Sequence, residues 1–147
     1  MEIKEYPELL KAMQLLETGE YTCVLYDGHR YLTTKQRGVK PLVQWLEQGN
    51  VPKCFAAADK VVGKATAFLY CLLGAKAVYA NVMSRGAKAV LEVHGVHTQC
   101  TMLTDYIINR TKNGICPFEE AVLDITDPKR ALTAIYKKMN ELGIDVQ

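Results

Sequence analysis

Apolar residues recur at helical spacing near the start of the chain. Leu9, Leu10, Met13 and Leu16 predict a helix over residues 7–17, stopped by Gly19. Residues 21–26 are rich in β-branched and aromatic side chains and predict a strand. Asp27-Gly28 predicts a two-residue hairpin turn, and residues 29–33 the returning strand. Residues 39–48 read as a helix with Leu42, Val43, Trp45 and Leu46 inward, Pro41 in its first turn and Gly49 at its end. Residues 53–58 predict a short strand, after which Asp59, a good N-cap, opens a helix over about residues 60–73 that Gly74 ends. Residues 77–82 predict another strand, Ser84 caps a helix reaching about His94, and residues 96–102 form a last strand. A polar stretch, residues 109–114, leads to Cys116-Pro117 and a short helix over residues 118–123. Asp127-Pro128 then opens a final helix ending at Gly143, with Ala131, Leu132, Ile135 and Met139 on one face.

A hairpin followed by alternating strands and helices predicts an α/β, three-layer sandwich: a mixed five-stranded sheet with helices on both faces. In such sheets ligands collect at the carboxyl ends of the strands, here the loops after about Thr33, Ala58 and Val82. A chain of 147 residues, 49% hydrophobic and 23% charged, suits one globular domain over residues 1–147 and needs no disulfide or metal staple to fold.

Charge narrows the partners. The net charge is only +2, the signs are interleaved, and the eight tyrosines are scattered without the aromatic and basic interleaving of a nucleic-acid binder, so neither nucleic acid nor an anionic membrane surface is expected. The charged N-terminal residues lack the apolar run of an export signal, and the longest apolar stretch, residues 65–75, is too short to span a bilayer. Five widely spaced cysteines form no CxxC and read as free thiols in a reducing cytoplasm. Cys23, Cys54 and Cys71 fall in strand or helix patterns and read as small core residues. His94 and His97 straddle an element boundary without a third ligand nearby, so no metal site is expected there, and Glu119-Glu120 suits a helix's first turn without marking acid–base chemistry.

The element order resembles the cytidine-deaminase-like fold. Three segments, Gly38-Val39-Lys40-Pro41-Leu42, Asp59-Lys60-Val61-Val62-Gly63-Lys64-Ala65, and Asn109-Arg110 with Asn113-Gly114-Ile115-Cys116-Pro117, resemble an uncharacterised bacterial family of that superfamily. It is a domain of unknown function with a hyperthermophile prototype, and the resemblance implies a fold without an activity. Zinc deaminases carry a His or Cys with a nearby Glu at the second helix and a Pro-Cys-x-x-Cys at the third. The corresponding stretches, Arg37-Gly38-Val39-Lys40-Pro41 and Ala58 to Lys64, hold none of these groups, so zinc-dependent hydrolysis is not expected and no cofactor is implied.

What stands there instead suggests an anion. If Asp59 caps a helix, Lys60 and Lys64 share one face near its N-terminus, where cations oppose the helix dipole unless an anion accompanies them. Gly63-Lys64 imitates a phosphate loop, but Ala58 replaces its first glycine and Ala65 its Mg²⁺-binding hydroxyl. The competing reading leaves both lysines solvated or paired with acids. Cys116, before Pro117 and a short helix, is a candidate nucleophile if the helix end, Arg110 and Lys112 favour its thiolate; the competing reading is a buried small side chain. The leading expectation is a small anionic or nucleotide-like ligand between residues 33–38, 59–64 and 109–116. Asp59, Lys60, Gly63, Lys64, Asn109 and Arg110 would bind it, with Cys116 touching it or acting on it. A Cys116 enzyme and a non-catalytic homo-oligomeric scaffold are the alternatives.

Overall fold

The computed structural model describes residues 6–109 and 111–146. Its elements follow the expected order: α1 (Pro7–Thr18), β1 (Cys23–Tyr26), β2 (Tyr31–Thr34), α2 (Lys40–Gln48), β3 (Ala56–Val62), α3 (Lys64–Leu73), β4 (Ala77–Ser84), α4 (Arg85–Val93), β5 (His97–Thr104), α5 (Pro117–Ala121) and α6 (Pro128–Glu141). The strands form one open, mixed sheet in the order β2-β1-β3-β4-β5. β1 is antiparallel to β2 and β3, while β3, β4 and β5 run parallel.

Alternation along the strands divides the core in two. Val24, Ala56, Ala58 and Ala77 meet Leu9, Ala12 and Leu16 of α1 on one face. Leu25, Ala57 and Val78 meet a larger cluster on the other, built from α2, α3, α4 and α6 around Phe68, Leu69 and Ile135. Ala56, Ala57 and Ala58 are all fully buried, as expected of a central strand covered on both faces. Ser84 and Asp127 cap their helices as their sequence positions suggest, accepting the Ala87 N–H at 3.1 Å and the Arg130 N–H at 3.0 Å.

Three local expectations are corrected. The hairpin corner is Gly28-His29, one residue later than expected, because the Asp27 carboxylate accepts the His29 and Arg30 N–H groups, both at 2.8 Å, and makes Asp27 the turn's first residue. Cys54 lies exposed in the loop before β3 with φ of +51°, not in a strand. The third concerns the candidate site. β3 does not end at Ala58 but continues through Asp59, Lys60 and the β-branched Val61-Val62, so α3 begins only at Lys64, with Gly63 at its N-cap position. Asp59 therefore caps no helix, and Lys60 and Lys64 do not share a helix face.

The alternation also slips by one residue, in register across the parallel strands. Ala80 and Met83 of β4 both join the larger core, as do Cys100 and Leu103 of β5, although each pair is three residues apart. Between them, the Tyr79 hydroxyl meets Asn81 Oδ1 at 2.9 Å and Thr101 Oγ1 at 2.6 Å. Past the slip, Val61 and Met102 turn outward, 44% and 56% exposed.

Candidate functional site

The carboxyl ends of β3, β4 and β5 share one edge of the sheet with the start of β1 and the end of β2, because Cys23 pairs with both Thr34 and Asp59. Thr22 ties this edge together. Its hydroxyl donates to the Gln36 carbonyl at 2.6 Å, and its own carbonyl accepts the Lys60 N–H at 3.0 Å. The edge thus gathers the loop after β2, the end of β3 and the β3–α3 junction.

At that junction an anion is already in place. Glu119 of α5 is 2% exposed, and its carboxylate accepts the Lys64 N–H through Oε1 and the Ile107 N–H, at 3.1 Å, through Oε2. Lys64 is the first residue of α3, so this N–H is one the helix leaves without an internal acceptor, and the helix dipole favours negative charge beside it. Gly63 has no side chain to cap the helix, and a Cβ there would stand 2.7 Å from Glu119 Oε1 and 3.0 Å from Ile107 Cγ1. Glycine leaves the room, and a carboxylate 55 residues away supplies the cap. The Lys64 ammonium does not reach Glu119. It donates to the Leu123 carbonyl at 2.6 Å, tying the start of α3 to the residues after α5.

Asp59 looks toward the helical layer instead. The Tyr70 hydroxyl donates to its Oδ2 at 2.6 Å and the Val61 N–H reaches its Oδ1 at 3.3 Å. With the tyrosine proton committed to Asp59, the Cys23 thiol, 2.9 Å from Tyr70 Oη, is left to donate to that oxygen. Burial pushes the Asp59 carboxyl up to about 6, against the lowering effect of these hydrogen bonds, and pushes the Cys23 thiol and the Tyr70 hydroxyl well above their usual values. Asp59, Tyr70 and Cys23 form one proton-holding chain between β3, α3 and β1.

The other expected residues lie on the connection between β5 and α5. Ile108 and Ile115 pair, and Asn109 organises the tip: its Nδ2 donates to Asn113 Oδ1 at 2.9 Å, while its Oδ1 accepts the Thr111 hydroxyl and the Asn113 N–H. Arg110 lies outside the described residues. Cys116 sits half-buried at the N-cap position of α5, with its N–H on the Ile107 carbonyl at 2.8 Å. α5 has only five residues and offers little dipole to a thiolate. All three histidines stand at the opposite edge of the sheet: His29 in the hairpin turn, and His94 and His97 beside the start of β5. Among the described residues, no three His, Cys, Asp or Glu side chains converge as a metal site would require, and the residues at 37–41 and 58–64 do not fit zinc.

The structure therefore brings Gly63 and Lys64 together with Glu119 and Ile107, sets Asp59 and Lys60 earlier on the same strand, and gives Asn109 a role within its own loop. Sequence reasoning missed Glu119, Tyr70 and Cys23, whose contacts cross 11 to 55 residues of chain. Two surface hollows lie elsewhere. One of about 420 Å³ is lined by Tyr6, Lys88, Glu92 and His97, and one of about 520 Å³ by Glu47, Tyr136, Asn140 and Ile144.

The profile of a domain of unknown function (DUF1893) matches residues 11–139 of the chain. Among solved structures, the crystal structure of a DUF1893 family protein (TM1506) from Thermotoga maritima is similar, at 24% identity over 90% of both chains with a TM-score of 0.82, a likeness of fold. No curated protein matches the chain.

Proposed function

The chain belongs to the DUF1893 family, and from that premise we propose that it is a binding protein for a small anionic or nucleotide-like ligand, held at the carboxyl edge of β3. One observation carries this reading: the main-chain donors of Lys64 and Ile107 already hold a buried carboxylate, that of Glu119. A ligand phosphate or carboxylate binds by taking the place of that side chain. The Lys64 ammonium, released from the Leu123 carbonyl, turns onto it, and Lys60 adds positive charge at the rim. Asn109 and Cys116 shape the loop that moves with α5. Asp59, which burial holds partly protonated near neutrality, accepts a polar group of the ligand or donates to it.

The mixed sheet, with its antiparallel hairpin beside three parallel strands, supports reading the fold as a zinc-free variant of the cytidine-deaminase-like architecture. The five free thiols suit a reducing compartment, the cytoplasm. No helix among the described residues is long and apolar enough to cross a membrane.

The test is a thermal-shift panel of inorganic phosphate, nucleoside monophosphates and small carboxylates, each compared with chloride at equal ionic strength. At least one is expected to raise the melting temperature of the wild type, and Lys64→Ala to lose the response. A wild type indifferent to the whole panel, or an undiminished response in Lys64→Ala, overturns the reading.

A further inference from the structure

We infer that β5 is the contact through which two copies of this chain assemble, edge to edge and antiparallel, into one continuous sheet. β5 closes the sheet on one side: its only strand neighbour among the described residues is β4, so alternate residues aim their N–H and C=O groups away from the sheet. Exposed edges are usually protected by brevity, lysine, proline or a covering element. The opposite edge, β2, uses the first of these, with four residues. β5 uses none. It has eight residues, His97-Thr98-Gln99-Cys100-Thr101-Met102-Leu103-Thr104, free of proline, glycine, lysine and carboxylate.

A second copy of the same strand fits this edge better than an unrelated segment does. A two-fold axis perpendicular to the sheet pairs β5 with itself in antiparallel sense and closes the assembly at two copies. No charged residue then faces a like charge, because the strand holds no lysine, arginine or carboxylate. The helix beside it adds complementarity. At the end of β5, Arg85 of α4 pairs with Asp105 at 3.0 Å; at its start, Glu92 of α4 pairs with Lys88 and accepts the Thr98 hydroxyl at 3.2 Å. An ion pair therefore lies level with each end of β5, Arg85–Asp105 at its end and Lys88–Glu92 at its start. Antiparallel pairing of two copies sets the Arg85–Asp105 pair of each beside the Lys88–Glu92 pair of the other, so that Arg85 of one faces Glu92 of the other in a shared network. Met102, 56% exposed beyond the slip in the alternation, gains an apolar contact across the seam.

Sedimentation velocity over a wide concentration range, on the full chain, reads the assembly. The wild type is expected to sediment as a dimer, twice the 16.4 kDa of one chain. Met102→Lys, which places a lysine on each strand of the seam, is expected to be a folded monomer by circular dichroism, and Met102→Leu to stay dimeric. Amide exchange over residues 97–104 of the wild type should slow as concentration rises, a readout that does not depend on any variant folding. A wild type monomeric at every concentration overturns the inference. So does a dimer whose exchange in residues 97–104 is independent of concentration, or one that Met102→Lys leaves intact.

Discussion

Glu119 and Gly63 depend on each other. The carboxylate satisfies two main-chain donors from separate parts of the chain, and it has room to do so only because position 63 carries no Cβ. Replacing Glu119 with alanine strands both N–H groups in a buried place, at a cost of roughly 2–4 kcal/mol for the two together. Gly63→Ala should destabilise by a comparable amount through its contact with the carboxylate. In the double variant the contact with the carboxylate is gone and only that with Ile107 remains, so the two losses should fall short of their sum when measured by urea unfolding. Strict additivity would mean that the two residues act separately. Asp59 gives a second prediction at this scale. Its carboxyl lies at about 6 in the folded protein, above the ordinary 3.8, so the folded state binds the proton more tightly than the unfolded one. The stability this provides is complete below about pH 4 and is lost as pH rises through 6, with a ceiling of about 3 kcal/mol. Asp59→Asn cannot titrate, so its melting temperature should gain on the wild type as pH climbs from 4 to 7. Parallel curves over that interval would remove the burial account of Asp59.

At the scale of elements, the sequence revealed most of the fold. Each helix and strand announced itself through its period, and the caps Ser84 and Asp127 stand where polar residues precede apolar runs. Replacing either cap with alanine should cost about 1 kcal/mol in chemical denaturation. The β3–α3 boundary was not legible, for a physical reason. Asp59 has the chemistry of an N-cap, but it stands inside a strand, where its carboxylate is satisfied by a tyrosine one helix away. Local preference favoured the cap, and the tertiary partner decided otherwise. Two signals nevertheless pointed to the later start: β-branched Val61-Val62, which continue a strand, and Gly63, which leaves an apolar helix without a cap of its own. A helix with no local cap must find one elsewhere. Nothing in the sequence named Glu119 as that partner, since its two contacts lie 12 and 55 residues away. Cys116 belongs to this scale as well. With a five-residue helix behind it and every histidine at the far edge of the sheet, it should react with iodoacetamide no faster than the exposed Cys54. A Cys116 that reacts much faster than Cys54 would instead favour the Cys116 enzyme.

Across the whole molecule, the absence of a zinc-site motif and the presence of an internal anion describe the same edge of the sheet. Residues 37–41 and 58–64 carry no His, Cys or Glu of a zinc-deaminase site, while the donors at the end of β3 carry a carboxylate that the chain supplies itself. A tethered carboxylate competes at an effective concentration of about a millimolar or more, so its removal should strengthen the binding of a free anion. The decisive measurement is a calorimetric titration of inorganic phosphate into folded Glu119→Ala and into the wild type at equal ionic strength. The account predicts saturable binding to Glu119→Ala, at least tenfold tighter than to the wild type, and its loss when Lys64→Ala is added. A folded Glu119→Ala that binds phosphate no better than the wild type would contradict it.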